Sequence, residues 1–75
     1  MALVSNIIKS FKNKHTIHKK TECSYFVVYD DMGKKYLQLE TTGSEDRKEK
    51  GKVSQSIQFS PEAIAQLKEL LAKEF

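Results

Sequence analysis

Tryptophan is absent from the 75 residues, cysteine and proline occur once each, and glycine three times. The single cysteine, Cys23, excludes an intrachain disulfide, and nothing else in the chain asks for an oxidising compartment, so a cytoplasmic location is the default. No apolar run approaches the roughly 18 residues of a membrane span, so no membrane partner is expected. The opening MALVSNIIKSFKNK lacks both a charged region before its apolar run and a small-residue cleavage site after it, and a signal peptide is not expected.

Acid is missing from the first 21 residues, which hold Lys9, Lys12, Lys14, Lys19 and Lys20. From Glu22 onward the remaining eight bases face all ten acids, so a basic first third precedes a slightly acidic remainder. That asymmetry points to an anionic partner for the amino-terminal part. A chain this short is one domain, and it buries only about 60 to 65% of its unfolded surface, so association into a dimer is a natural remedy.

Chemistry is scarce. Catalysis needs groups with tunable pKa or nucleophilicity, and one Cys, two His and scattered carboxylates offer little. His15, His18 and Cys23 make three possible metal ligands, whereas a structural zinc site wants four and a CxxC or HxxxH knuckle. Cys23 reads as a small buried hydrophobe. Gly43 and Gly51 bracket a loop with acids, a poor host for a nucleotide phosphate. The chain is expected to be no enzyme, with no metal and no cofactor.

What is present is periodicity. Leu3, Val4, Ile7, Ile8 and Phe11 lie at the spacing of one side of a short helix, so residues 1–21 read as a basic segment, a short helix or arm, ahead of a strands-then-helix domain over 22–75. SYFVVYD, 24–30, is aromatic and β-branched and predicts a strand. Asp30, Asp31, Met32 and Gly33 supply turn chemistry, with Gly33 free to take positive φ. A second strand is predicted over about 35–41, with Leu37 and Leu39 on one face and Tyr36, Gln38 and Glu40 on the other. In the third, Val53, Gln55, Ile57 and Phe59 alternate with Ser54, Ser56 and Gln58.

The last element is the best defined. Ser60 suits an N-cap, Pro61 the first helical position, and Glu62 the positive end of the helix dipole. Ile64, Leu67, Leu71 and Phe75, joined by Ala63 and Leu70, form an apolar stripe expected to cover the dry face of the sheet. The order of elements is α+β: a curved antiparallel sheet of three to four strands followed by one carboxy-terminal helix.

The opposite face then carries Tyr36, Gln38, Ser54, Ser56 and Gln58. Both registers of SYFVVYD are apolar; sending Phe26 and Val28 inward places Tyr25 and Tyr29 outward, where their hydroxyls meet water. Rings that stack on unpaired bases, with amides and hydroxyls for edges and backbone, suit a single-strand binder. Lys19, Lys20, Lys34, Lys35, Arg47, Lys48, Lys50 and Lys52 sit in loops that would rim such a face. The bland alternative is that the tyrosines serve β-propensity or a dimer contact.

From Gly33 onward, GKKYLQLETT, a charged loop ending in Gly51 and Lys52, and SIQFSPEAIAQLKELL resemble the transcriptional positive cofactor of the p-fifteen type. The matching positions are Gly33, Lys34, Gly51, Lys52, Pro61, Glu62, Gln66, Leu67, Lys68 and Glu69. The segment is also similar to one half of a PUR repeat, and the resemblance covers roughly residues 22–75. It implies a curved four-stranded sheet crossed by the helix and a homodimer made largely through the helices, here Leu67, Leu70, Leu71 and Phe75. It also implies single-stranded DNA or RNA running over the exposed sheet face. The fourth strand would come from near 16–21. In this reading GSEDRKEKGK is a flexible rim whose Arg47, Lys48, Lys50 and Lys52 meet phosphates.

The expected function is a small single-stranded nucleic-acid-binding protein, an accessory factor in transcription or DNA maintenance. Tyr25, Tyr36 and Gln38 contact the strand, and the lysines and Arg47 hold it. The alternative is a protein-interaction module or small regulator that docks a partner through the sheet or the helix face.

Overall fold

The computed structural model describes residues 1–12, 15–44 and 53–75. Its elements are β1 (Ala2–Val4), β2 (Thr21–Tyr29), β3 (Lys35–Ser44), β4 (Gln55–Phe59) and α1 (Pro61–Glu74). The fold is α+β, an open four-stranded sheet in the order β1-β4-β3-β2 followed by the helix.

The β2–β3 hairpin is built on Asp30. The Gly33 N–H donates to the Asp30 carbonyl at 3.0 Å, the Asp30 N–H donates to the Lys34 carbonyl at 3.1 Å, and Gly33 takes φ 78°. A left-handed residue after a tight turn is where glycine carries no Cβ penalty. β3 continues antiparallel to β4, with Leu37 opposite Phe59 and Leu39 opposite Ile57, so the expected dry face forms.

β1 departs from the expected helix. Ala2, Leu3 and Val4 pair parallel with Ile57, Gln58 and Phe59, which makes the sheet mixed rather than antiparallel and supplies the fourth strand from the amino terminus. Of residues 16–21, where the fourth strand is expected, 16–20 carry no regular structure and Thr21 opens β2. The physical reason is twofold: a helix of nine residues rich in β-branched side chains is marginal alone, and the open edge of β4 offers backbone partners instead. Beyond β1 the chain follows the helix. Gln66 Oε1 accepts from the Ile7 N–H at 2.8 Å, and Gln66 Nε2 donates to Asn6 Oδ1 at 2.9 Å.

α1 begins as its sequence dictates. Ser60 is extended (φ −68°, ψ 166°), its hydroxyl accepts from the Ala63 N–H at 3.2 Å, and its own N–H donates to the Val4 carbonyl at 2.9 Å. One residue thus caps the helix and ties β1 to it.

The apolar stripe covers the dry face only in part. Ile64, Leu67 and Leu70 are half-buried, Leu71 and Phe75 are exposed, and the helix packs on β3 and β4. Ala63 is the one buried hydrophobic residue among those described. The radius of gyration, 14.5 Å, exceeds the roughly 11 Å of a compact chain of this length.

Candidate nucleic-acid interface

The register of β2 decides which side chains share a surface. Tyr25 lies opposite Leu39, Val27 opposite Leu37 and Tyr29 opposite Lys35. Directly opposed residues of an antiparallel pair share a face, so Tyr25, Val27 and Tyr29 stand on the side of Leu37 and Leu39, the helix side. Phe26 and Val28, opposite Gln38 and Tyr36, stand on the other. This corrects the expected register by one residue: Tyr25 does not share a face with Tyr36 and Gln38. Both strand faces are apolar, so alternation within SYFVVYD carries no signal to separate them.

On the helix side, Tyr25 and Tyr29 are 73% and 60% exposed. Val27 between them lines a groove of about 560 Å³ with Leu37, Pro61 and Ile64, and the groove also carries Lys34, Lys35 and Lys68. Three cations therefore line one groove at the hairpin end of the sheet, with Tyr29 across from Lys35 and Tyr25 further along β2. Lys68 is the residue that sequence reasoning left out of the site, whereas Tyr29 was expected on the binding face beside Tyr25 without being named as a contact. Lys68 could have been found from its position one turn after Ile64, at the margin of the helical stripe.

A second groove on this side, about 520 Å³, is lined by Cys23, Leu39, Thr41 and Ile57 together with Val53 and Gln55. Cys23 is exposed there and not buried as expected.

The outer face satisfies itself. Gln38 Nε2 donates to Glu40 Oε2 at 2.8 Å and to Ser56 Oγ at 3.2 Å, and Gln58 Nε2 donates to Gln38 Oε1 at 2.8 Å. Glu40 adds negative charge, and an amide engaged on both ends has little left for a ligand.

Around the hairpin, Asp30 Oδ1 accepts from the Met32 and Lys34 N–H groups at 2.8 and 2.9 Å, and Oδ2 from the Tyr36 hydroxyl at 3.3 Å. The bond from the Lys34 N–H, followed by those from Met32 and Tyr36, holds the Asp30 carboxyl below its usual range. Partial burial, then the Asp30 charge, pushes the Tyr36 phenol up. Glu62 is lowered, chiefly by its own backbone N–H and then by the Ser60 hydroxyl.

Of the other anticipated contacts, Lys19 and Lys20 are exposed on the segment before β2. Arg47, Lys48, Lys50 and Lys52 lie outside the described residues, so the charged loop forms no part of the site described here. Among the described residues no three of His, Cys, Asp and Glu gather as metal ligands, and no helix is long and apolar enough to cross a membrane. No protein-family model, curated protein or solved structure matches the chain.

Proposed function

We propose that the protein binds single-stranded nucleic acid on the helix side of β2. The observation that supports this reading is the pairing of two open tyrosine rings on one strand with lysines beside them: Tyr29 lies directly across from Lys35, and Lys34 and Lys68 share the adjoining groove. Two rings four residues apart stand about 13 Å from one another, so each offers a separate stacking platform. Bases stack on the rings while the ammonium groups neutralise phosphates, and neither interaction demands a particular base sequence. The chain is a binder and not a catalyst in this reading, of the kind that serves transcription or DNA maintenance as an accessory.

The test is fluorescence anisotropy of a labelled oligonucleotide of about twenty unpaired bases, at two salt concentrations, competed with duplex of equal length. Salt-sensitive binding that resists the duplex and weakens on Tyr29→Ala supports the proposal. Absence of binding at tens of micromolar overturns it in favour of a module that docks a protein in the apolar grooves.

A further inference from the structure

β2 is an edge strand of nine residues, and among the described residues no strand pairs with it on the side away from β3. Long edges are ordinarily blunted by proline, lysine or extreme shortness, because an open row of N–H and C=O groups recruits another strand. β2 has no proline and no lysine, and its only charge is Glu22 at one end.

Backbone geometry shows which groups face outward. The Asp30 N–H bonds to the Lys34 carbonyl, so Asp30 and Lys34 form a hydrogen-bonded pair. Such pairs alternate along an antiparallel ladder. Val28, Phe26 and Ser24 therefore bond inward to β3, while Tyr29, Val27, Tyr25 and Cys23 turn their backbone groups to the open edge.

We infer that this edge pairs antiparallel with β2 of a second copy of the chain, across a two-fold axis at Tyr25. Self-pairing of a strand about a dyad is necessarily antiparallel, and the outward odd-numbered residues must meet each other. Overlap of the whole strand then has one solution. Tyr25 faces Tyr25 of the copy and Cys23 faces its Val27, while the shift in register between Cys23 and Thr21 leaves the end of the strand outside this alternation. No like charges oppose, since the only charge on the strand, Glu22, lies at its end, away from the dyad.

The surface of the chain calls for such a partner. On β2 itself Tyr25, Phe26, Val27 and Tyr29 are all exposed. The joined sheets also set Tyr25 and Tyr29 of both copies on one continuous face. The pairing itself does not depend on what that face binds.

The experiment uses the whole chain without nucleic acid, measuring mass by light scattering and cross-linking by mild oxidation. Opposed residues in a hydrogen-bonded pair have Cα atoms about 5.5 Å apart, within disulfide reach. Val27→Cys is therefore expected to bridge to the native Cys23 of the copy and to run at twice the 8.6 kDa chain mass on a non-reducing gel. Within one chain those two positions stand about 13 Å apart along the strand and cannot bridge. Tyr25→Lys places two ammonium groups at the dyad and is expected to shift the mass to monomer with the circular dichroism of the fold retained. A wild-type monomer at tens of micromolar overturns the inference. So does a dimer in which Val27→Cys stays uncross-linked or which Tyr25→Lys leaves intact.

Discussion

The Tyr36 hydroxyl donates to Asp30 Oδ2 at 3.3 Å while Oδ1 of the same carboxylate accepts two backbone N–H groups of the turn. One side chain thereby closes the hairpin and anchors Tyr36, the one tyrosine of β3. The native state favours the ionised carboxyl, so its pKa lies below the ordinary 3.8. The unfolded chain then binds the proton more readily, and the stability gained from Asp30 is present above pH 3.8 and is lost as pH falls through the native value. Asp30→Asn is expected to be less stable than wild type at neutral pH and to converge on it in acid. Urea titrations at pH 7 and near pH 3 measure this; a constant difference would contradict it.

Gly33 has φ 78°, and a Cβ built there meets nothing within 4 Å. Gly33→Ala therefore costs backbone strain and no clash, about 1 to 2 kcal/mol. Gly33→Asn is expected to lose less, because asparagine visits the left-handed region more readily. Denaturant midpoints at unchanged m-value check both.

Ser60→Ala removes the side-chain acceptor for the Ala63 N–H, which lies in the most buried part of the chain. The expected loss is about 1 kcal/mol. The Ser60 backbone bond to Val4 survives the change, so β1 should stay attached. Amide exchange at Ser60 and Ala63 separates the two effects: faster at Ala63, little changed at Ser60.

Tyr29→Ala is expected to cost about 1 to 3 kcal/mol in binding of an unpaired oligonucleotide, the range for one stacked base. Lys35→Ala and Lys68→Ala should each lower the slope of log affinity against log salt by about 0.7. Gln38→Ala, on the opposite face, should leave affinity and slope unchanged. Reversed effects for Tyr29 and Gln38 would move the site to the outer face.

Leu71 and Phe75 are the exposed end of the helical stripe, 49% and 95% accessible. With the dimer held by the β2 edge, Leu71→Asp is expected to remain folded and dimeric. A folded monomer would instead place the contact on the helices, as the resemblance to positive cofactors implies. Sedimentation of this variant beside Tyr25→Lys decides between the two edges of the molecule.

Much of the architecture was legible before any coordinates. α1 announces itself because Ser60, Pro61 and Glu62 stand in the order that helix starts require, and the structure begins it at Pro61. The hairpin is legible for a similar reason, since only Gly33 among its residues takes positive φ without strain. β3 and β4 had one apolar and one polar register each, so Leu37, Leu39, Ile57 and Phe59 could face only one way. The candidate site was less legible. Lys34, Lys35 and Tyr25 were anticipated, but their grouping with Tyr29 and Lys68 depends on where the helix lies.

The sequence by itself determined the elements whose signal is local: a capped helix, a glycine turn and two strands with unlike faces. Their information sits in neighbouring residues, and the backbone obeys it without reference to distant parts of the chain. Tertiary structure alone decided the rest. β2 is apolar on both faces, so only its ladder with β3 could send Tyr25 and Tyr29 to the helix side and Phe26 outward. Leu3 to Phe11 had helical spacing, yet pairing of Ala2–Val4 with the β4 edge and the bonds of Gln66 to Asn6 and Ile7 replaced the helix. The first outcome turns on partners across the hairpin and the second on partners more than fifty residues away in the chain, and side-chain periodicity encodes neither.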